Sequence, residues 1–322
     1  MAEDYTYIVA RLRSLEALLP ERSWFERLAR TPEENLLAAL REHFRGFESV
    51  GSPVEFERAL EAEKLSLLDL VTGLLRDERP RQFIRSGYDF DNCTHAWKAA
   101  KLGERGALTP FGFFPPREIE DTVAGKIKGT LAPHLEEHLG ALDERYEETK
   151  SLAACEYAGE AAKWRFLFAI APGEEAAAYL RCKADLVNIK NCIRLRGSTL
   201  RTESLEAVWI EGGDLETSRF ARFLREGEEE LLSFLATSAH ATLIRLGLSR
   251  ETPAWKIDPI MRCALMEFLG ESRYRSFDFS PVLYHIELRE RTFDIVRRIV
   301  TARLNRASEE ATLERLDAVL PS

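Results

Sequence analysis

The chain has 322 residues, 45% of them hydrophobic and 31% charged, and carries a formal net charge of −9. A chain of this length buries a sizeable core, in one large domain or a few smaller ones. The acidic balance argues against a nucleic-acid footprint, which needs a basic surface.

Ala, Leu, Glu and Arg dominate the sequence and are strong helix formers. Period-2 apolar runs are scarce, so the expected fold class is all-α. A first helix is expected over residues 4–19, stopping before Pro20. Thr31-Pro32-Glu33-Glu34 and Ser52-Pro53-Val54-Glu55 both read as capping boxes, with Pro at the first helical position and an acid reaching back to the cap. A helix through Asp89 should end near Gly103. The prolines and glycine of Leu108-Thr109-Pro110-Phe111-Gly112-Phe113-Phe114-Pro115-Pro116 then force an apolar loop.

A long helical stretch follows over residues 118–168, with a break expected around 129–133. Phe166-Leu167-Phe168-Ala169-Ile170-Ala171 is the longest purely apolar run and falls far short of the roughly 20 residues a membrane-spanning helix requires. Pro172-Gly173 turns the chain into another helix, which Gly197-Ser198 should end. Val208-Trp209-Ile210-Glu211-Gly212-Gly213-Asp214-Leu215 is a second conspicuous loop. Helices are expected beyond it at 228–248, 258–269 and 281–304.

The N-terminus lacks the basic and apolar regions of a secretory signal. The five cysteines, Cys93, Cys155, Cys182, Cys192 and Cys263, never adopt a Cys-x-x-Cys spacing. The expectation is a cytoplasmic protein with buried, reduced thiols, whose membrane role, if it has one, is peripheral.

The sequence repeats one helical phrase. Asp89-x-x-Asn92 and Asp185-x-x-Asn188 are each followed by a basic residue at the same distance, Lys98 and Arg194. Cys93, Ala96 and Trp97 in the first copy, and Ile189, Cys192 and Ile193 in the second, have the i, i+3, i+4 spacing of a core-facing stripe. A weaker third copy lies at Arg291-Thr292-Phe293-Asp294-Ile295, with Asp294 in the Asn slot. Internal repetition points to a protein whose job is its shape rather than one catalytic pocket. The polar pairs Asp89/Asn92 and Asp185/Asn188 read either as capping and inter-helix hydrogen bonds or as a surface for a partner.

His134-Leu135-Glu136-Glu137-His138 matches the inverted zinc-protease pattern, with two imidazoles on one helix face and Glu137 placed to polarise a metal-bound water. A zinc hydrolase on His134, Glu137 and His138 is therefore one alternative, set against a solvated helix face. The last long helix carries Arg289, Arg291, Arg297, Arg298, Arg303 and Arg306, either a solvated face or a strip that steers an acidic partner. No phosphate-binding glycine loop is present, so nucleotide binding has no support in the sequence.

Taken together, these features resemble the C-type subunit of bacterial and archaeal vacuolar-type rotary ATPases, whose eukaryotic equivalent is the d-type subunit of the V-ATPase. Tyr5-x-Tyr7-x-x-Ala10-Arg11-x-Arg13 is similar to that family's opening Tyr-x-Tyr-x-Asn-Ala-Arg-x-Arg. The paired Asp-x-x-Asn helices, the Pro110-x-Gly112 loop, Leu142-Asp143-x-x-Tyr146, the Gly212-Gly213 loop and Pro281-x-x-Tyr284 follow in the family's order. The chain departs from the pattern at Val9, at Cys93-Thr94 and at Asp294.

The resemblance implies a funnel of three pseudo-threefold helical bundles around a central cavity, with repeats near residues 1–106, 107–205 and 206–322. It implies a non-catalytic central-stalk socket without cofactor, metal or nucleotide, peripheral on the cytoplasmic face of the membrane. Its partners would be the axle subunits of the D and F type and the proteolipid rotor ring, coupling ATP hydrolysis or synthesis to proton or sodium transport. The partner-reading faces expected on it are Asp89, Asn92 and Lys98, and Asp185, Asn188 and Arg194. A helical-repeat adaptor with other partners is the remaining alternative.

Overall fold

The computed structural model describes residues 5–47, 53–195, 202–226 and 228–320. Every regular element among them is helical. The chain begins with α1 (Thr6–Glu16), α2 (Arg22–Arg30), α3 (Leu36–Leu40) and α4 (Pro53–Leu74). It continues through α5 (Glu78–Leu102), α6 (Pro116–Val123), α7 (Pro133–Thr149), α8 (Leu152–Ile170), α9 (Glu174–Leu195), α10 (Thr202–Val208) and α11 (Thr217–Glu226). It closes with α12 (Glu228–Thr237), α13 (Ala241–Arg245), α14 (Ala254–Gly270), α15 (Ser280–Leu304) and α16 (Glu309–Val319). No described helix is long and apolar enough to cross a membrane.

The chain forms two compact units, one of residues 1–74 with 227–322 and one of residues 75–226.

In the unit of residues 75–226, α5 is the hub, packed by α6, α7 and α8. Phe90, Cys93 and Ala96 of α5 meet Ile119 of α6, Leu131 just before α7 and Leu135 in its first turn. One turn further on, Trp97 meets Leu142 of α7 and Cys155 of α8. Each large side chain buried this fully contributes about 1.5–3 kcal/mol, so the i, i+3, i+4 stripe read from the sequence accounts for the seating of α5. The helix ends as expected at Gly103, whose φ of 68° lets its N–H and that of Glu104 turn back to the carbonyls of Ala100 and Ala99.

In the other unit α15 is the central helix, with α1, α2, α4, α14 and α16 against it. Its buried face runs through Val282, Phe293, Val296, Ile299 and Val300. Phe293 joins an aromatic cluster through Phe44, which touches Trp24 and Phe47.

Several sequence expectations need correction. The stretch at 118–168 breaks at 124–132 as expected, but it also breaks at Lys150, which takes a left-handed φ of 50°. Ser151 then caps α8 by accepting the N–H of Ala154 at 3.2 Å, making α7 and α8 a hairpin. Thr31 does not start a helix: its hydroxyl donates backward to the carbonyl of Arg27 at 2.8 Å and so finishes α2. The helix expected at 228–248 is interrupted at Ser238, whose hydroxyl accepts the N–H of His240. α4 begins at Pro53 as expected, with Glu55 in its first turn, while Ser52, the expected cap, and the stop at Gly197-Ser198 lie outside the described residues.

Candidate functional site

Asp89 and Asn92 stand one turn apart on α5, each about 1% exposed. Asn92 pairs with the backbone of a single residue: its Nδ2 donates to the carbonyl of Thr109 at 2.8 Å and its Oδ1 accepts the N–H of Thr109 at 2.9 Å. The Asp89 carboxylate accepts the N–H groups of Phe113 and Phe114, both at 3.1 Å. Arg85, one turn earlier and also buried, donates to the carbonyls of Phe111 and Gly112 at 3.4 Å. The apolar loop is thus gripped along its backbone by three side chains of one helix. Gly112 makes the approach possible, since a Cβ there would lie 1.9 Å from Asp89 Oδ1.

The same device recurs on α9. Asn188 donates to the carbonyl of Ile210 at 2.8 Å and accepts its N–H at 2.9 Å. The Asp185 carboxylate accepts the N–H groups of Asp214 and Leu215 at 3.2 and 3.1 Å. In both copies the Asp grips the amides four and five residues beyond the peptide held by the Asn. Gly213 corresponds to Gly112, with a Cβ there only 2.1 Å from Asp185 Oδ1. Arg181 occupies the position of Arg85 and lies 3.6 Å from Asp214. Gly212 takes a φ of 97° and sits on the Phe168 ring, so two glycines in a row are needed where the first loop uses one.

The residue types follow from the task. A primary amide is both donor and acceptor and so satisfies both backbone polar groups of one residue away from water. Two successive amides converge on an anion, which a carboxylate supplies. Burial nonetheless pushes the Asp89 carboxyl up to about 6, against the opposing pull of the Phe113 and Phe114 amides and of Arg85. These groups hold loops in place, and each polar atom named here already has its partner.

The third copy is built with the charges exchanged. Arg291 stands where the first two copies have Asp, and Glu287 where they have Arg. Arg291 donates to the carbonyl of Val319 at 3.0 Å, so an arginine reads a carbonyl where an aspartate reads amides. Asp294, in the Asn slot, pairs instead with Arg298 at 2.8 Å.

Asp89, Asn92, Asp185 and Asn188 are therefore internal staples, brought together with the two loops rather than with one another. Lys98 is half-buried and bonded to Glu156 at 2.5 Å. Arg194 is exposed near the end of α9. Reading the pairs as capping or inter-helix bonds comes closest to this geometry, although the carboxylates hold amides of distant loops instead of helix ends. Two parts of the device were not foreseen from the sequence, the arginines at 85 and 181 and the role of Gly112 and Gly213, expected only as loop formers, in facing the carboxylates. Their regular spacing from the repeated Asp and from the loop start was the available signal.

The His-x-x-Glu-His segment lies in α7. His138 is buried, its Nε2 lies 2.9 Å from the Thr94 hydroxyl, and its ring packs edge-on against Phe90. Gly159 of α8 lies beside this pair, where a Cβ would come within 2.9 Å of Thr94 Oγ1. His134 stacks on Phe166 with ring centroids 4.2 Å apart, and Glu137 is exposed. Burial lowers the pKa of His138 to about 4 and lowers that of His134 as well. No three His, Cys, Asp or Glu side chains gather as a metal site among the described residues. The arginine strip of α15 is largely engaged inside its own unit. Arg289 lies over Phe293, Arg297 pairs with Glu57 and Arg298 with Asp294. All five cysteines are buried thiols outside any disulfide.

A chain whose described regular elements are all helical, and which builds the same helix-and-loop device on α5 and α9, has the architecture of an all-helical protein in which buried side chains fix two long loops. The profile of the ATP synthase (C/AC39) subunit family matches residues 8–315, nearly the whole chain. The chain belongs to that family, which supplies a subunit of V-type rotary ATPases and is not itself the catalytic one. Comparison with individually curated proteins gave no match.

Proposed function

We propose that this chain is the central-stalk socket of a V/A-type rotary ATPase, joining the axle of the ATPase head to the membrane rotor ring. Its partners are then the axle subunits of the D and F type and the ring of proteolipid subunits. Its place is the cytoplasmic face of the membrane, and its three repeats form a funnel around the axle tip. The observation that carries this reading is the pair of equivalently stapled loops within a chain matched to the family over residues 8–315. An element that passes torque must not absorb it as local bending, and loops bonded along their backbone to buried side chains have little freedom to open.

The staples also shift the partner-reading role. Asp89, Asn92, Asp185 and Asn188 act through the loops they hold, while Phe113, Glu211 and Asp214 are exposed on those loops. Lys98 and Arg194 remain on the half-buried and exposed parts of α5 and α9.

The test is add-back. Native membranes stripped of their peripheral ATPase sector are reassembled with and without the purified chain, and ATP-driven ion uptake is compared. Uptake that depends on the chain, while hydrolysis by the soluble head does not, is the expected result. Full recovery of uptake without it refutes the socket.

A further inference from the structure

The unit of residues 75–226 carries a groove of about 450 Å³ between α8 on one side and α10 with the stretch 209–211 on the other. Its floor is made by Ala154, Ala158 and Ala161, successive residues of one face of α8. With no atoms beyond Cβ, that floor lets another backbone come close. Tyr157, 43% exposed, and the half-buried Trp209 present aromatic surface to the groove.

The charges on its rim are sorted by side. α10 and the start of the second stapled loop contribute Glu206 and Glu211, both exposed and neither ion-paired among the described residues. α8 contributes Arg165, likewise exposed and without an ion pair among the described residues. Arg145, from α7, is already paired with Glu148 at 3.2 Å. The acidic wall is also fixed in place, because Ile210, between Trp209 and Glu211, is held at both its N–H and its carbonyl by Asn188. A preformed wall reduces the ordering cost of binding.

We propose that this groove docks a helical segment of a partner protein. An arginine or lysine of that segment anchors it, seated between the rings of Tyr157 and Trp209 and facing Glu206 and Glu211. An acidic residue on the same face of the incoming helix meets Arg165. The aromatic faces and the two carboxylates favour a cation, the alanine floor admits a helix backbone, and the opposed rims set its orientation. The volume is that of a site holding a few large side chains rather than a broad interface. The assignment rests on the chemistry of the groove and is independent of the coupling role proposed above.

The probe is an alanine-rich helical peptide bearing one arginine and one glutamate on the same face, titrated into the full chain. Alanine-methyl NMR locates the contact and tryptophan fluorescence follows saturation. Saturable shifts centred on Ala154, Ala158 and Ala161 are expected. Affinity should weaken by about tenfold, equivalent to about 1.4 kcal/mol, when the peptide arginine becomes glutamine or the protein carries Glu206→Gln with Glu211→Gln. Both glutamates are exposed, so the double variant keeps its fold, which its unchanged methyl spectrum without peptide would verify. Absence of saturable shifts, shifts centred on another surface, or unchanged affinity in either substitution overturns the proposal. These outcomes do not depend on whether the chain couples ion uptake.

Discussion

Replacing Gly112 with alanine tests the staple directly. The added Cβ would lie 1.9 Å from Asp89 Oδ1 and 2.6 Å from its Cγ. Ordinary contact needs more than 3 Å, so the carboxylate or the loop must move by over an ångström. The bonds to Phe113 and Phe114, both at 3.1 Å, do not survive such a shift. Hydrogen bonds to a charged group contribute about 1.5–3 kcal/mol each, so the expected loss is about 3–6 kcal/mol, reduced by whatever the loop recovers on relaxing. Gly213→Ala should cost a similar amount, because the Cβ would lie 2.1 Å from Asp185 Oδ1. Gly140→Ala, in the middle of α7 with nothing within 4 Å, is the control and should stabilise by roughly 0.5–1 kcal/mol. Urea unfolding of the single variants, together with a double-mutant cycle on Asp89→Ala, gives the coupling energy. If Gly112→Ala costs the same with and without the Asp89 carboxylate, or less than about 1 kcal/mol in the wild-type background, the staple does not hold the loop as argued.

Asp89 and His138 should drive pH dependence in opposite directions. The folded pKa of Asp89, about 6 against an ordinary 3.8, gives stability that is present below 3.8 and lost as pH rises through 6. That of His138, about 4 against 6.5, gives stability present above 6.5 and lost as pH falls through 4. Each spans about two pH units, or about 3 kcal/mol, so the two offset one another through the mildly acidic range. His138→Gln should gain stability relative to wild type as pH falls from 7 to 4, and parallel stability curves would remove the argument. The five buried thiols, with Cys93 and Cys182 pushed up to about 12, should resist a disulfide reagent at pH 8 and react only on unfolding, which a simple colorimetric count checks. Ser151→Ala should cost about 1 kcal/mol by removing the cap of α8, measured by thermal unfolding.

The all-helical class and the buried faces of α5 and α9 were legible because local spacing alone defines an apolar stripe. The loops around Gly112 and Gly212-Gly213 were legible because proline and glycine leave the backbone few alternatives. The polar members of the repeat were visible as a pattern, but their use was not. Asn92 and Thr109 are separated by 17 residues and Asp185 and Leu215 by 30, and nothing local states that separation. The turn at Lys150 was hidden because a left-handed lysine sits among strong helix formers, with Ser151 as its lone signal. Thr31 was misread because a threonine beside a proline can finish one helix as readily as begin the next.

Because the Asp and Asn staples touch main-chain atoms of their loops, substitutions at outward positions leave those bonds intact provided the glycine facing the carboxylate, and Gly212 in the second loop, are kept. The first loop shows Pro110 and Phe113 outward, and the second shows Glu211 and Asp214 at the matching places. One bracket therefore carries two unlike inserts. Mutational drift on the outward positions should be nearly silent in stability, and the loops can diverge to suit different neighbours while the helices beneath them stay fixed.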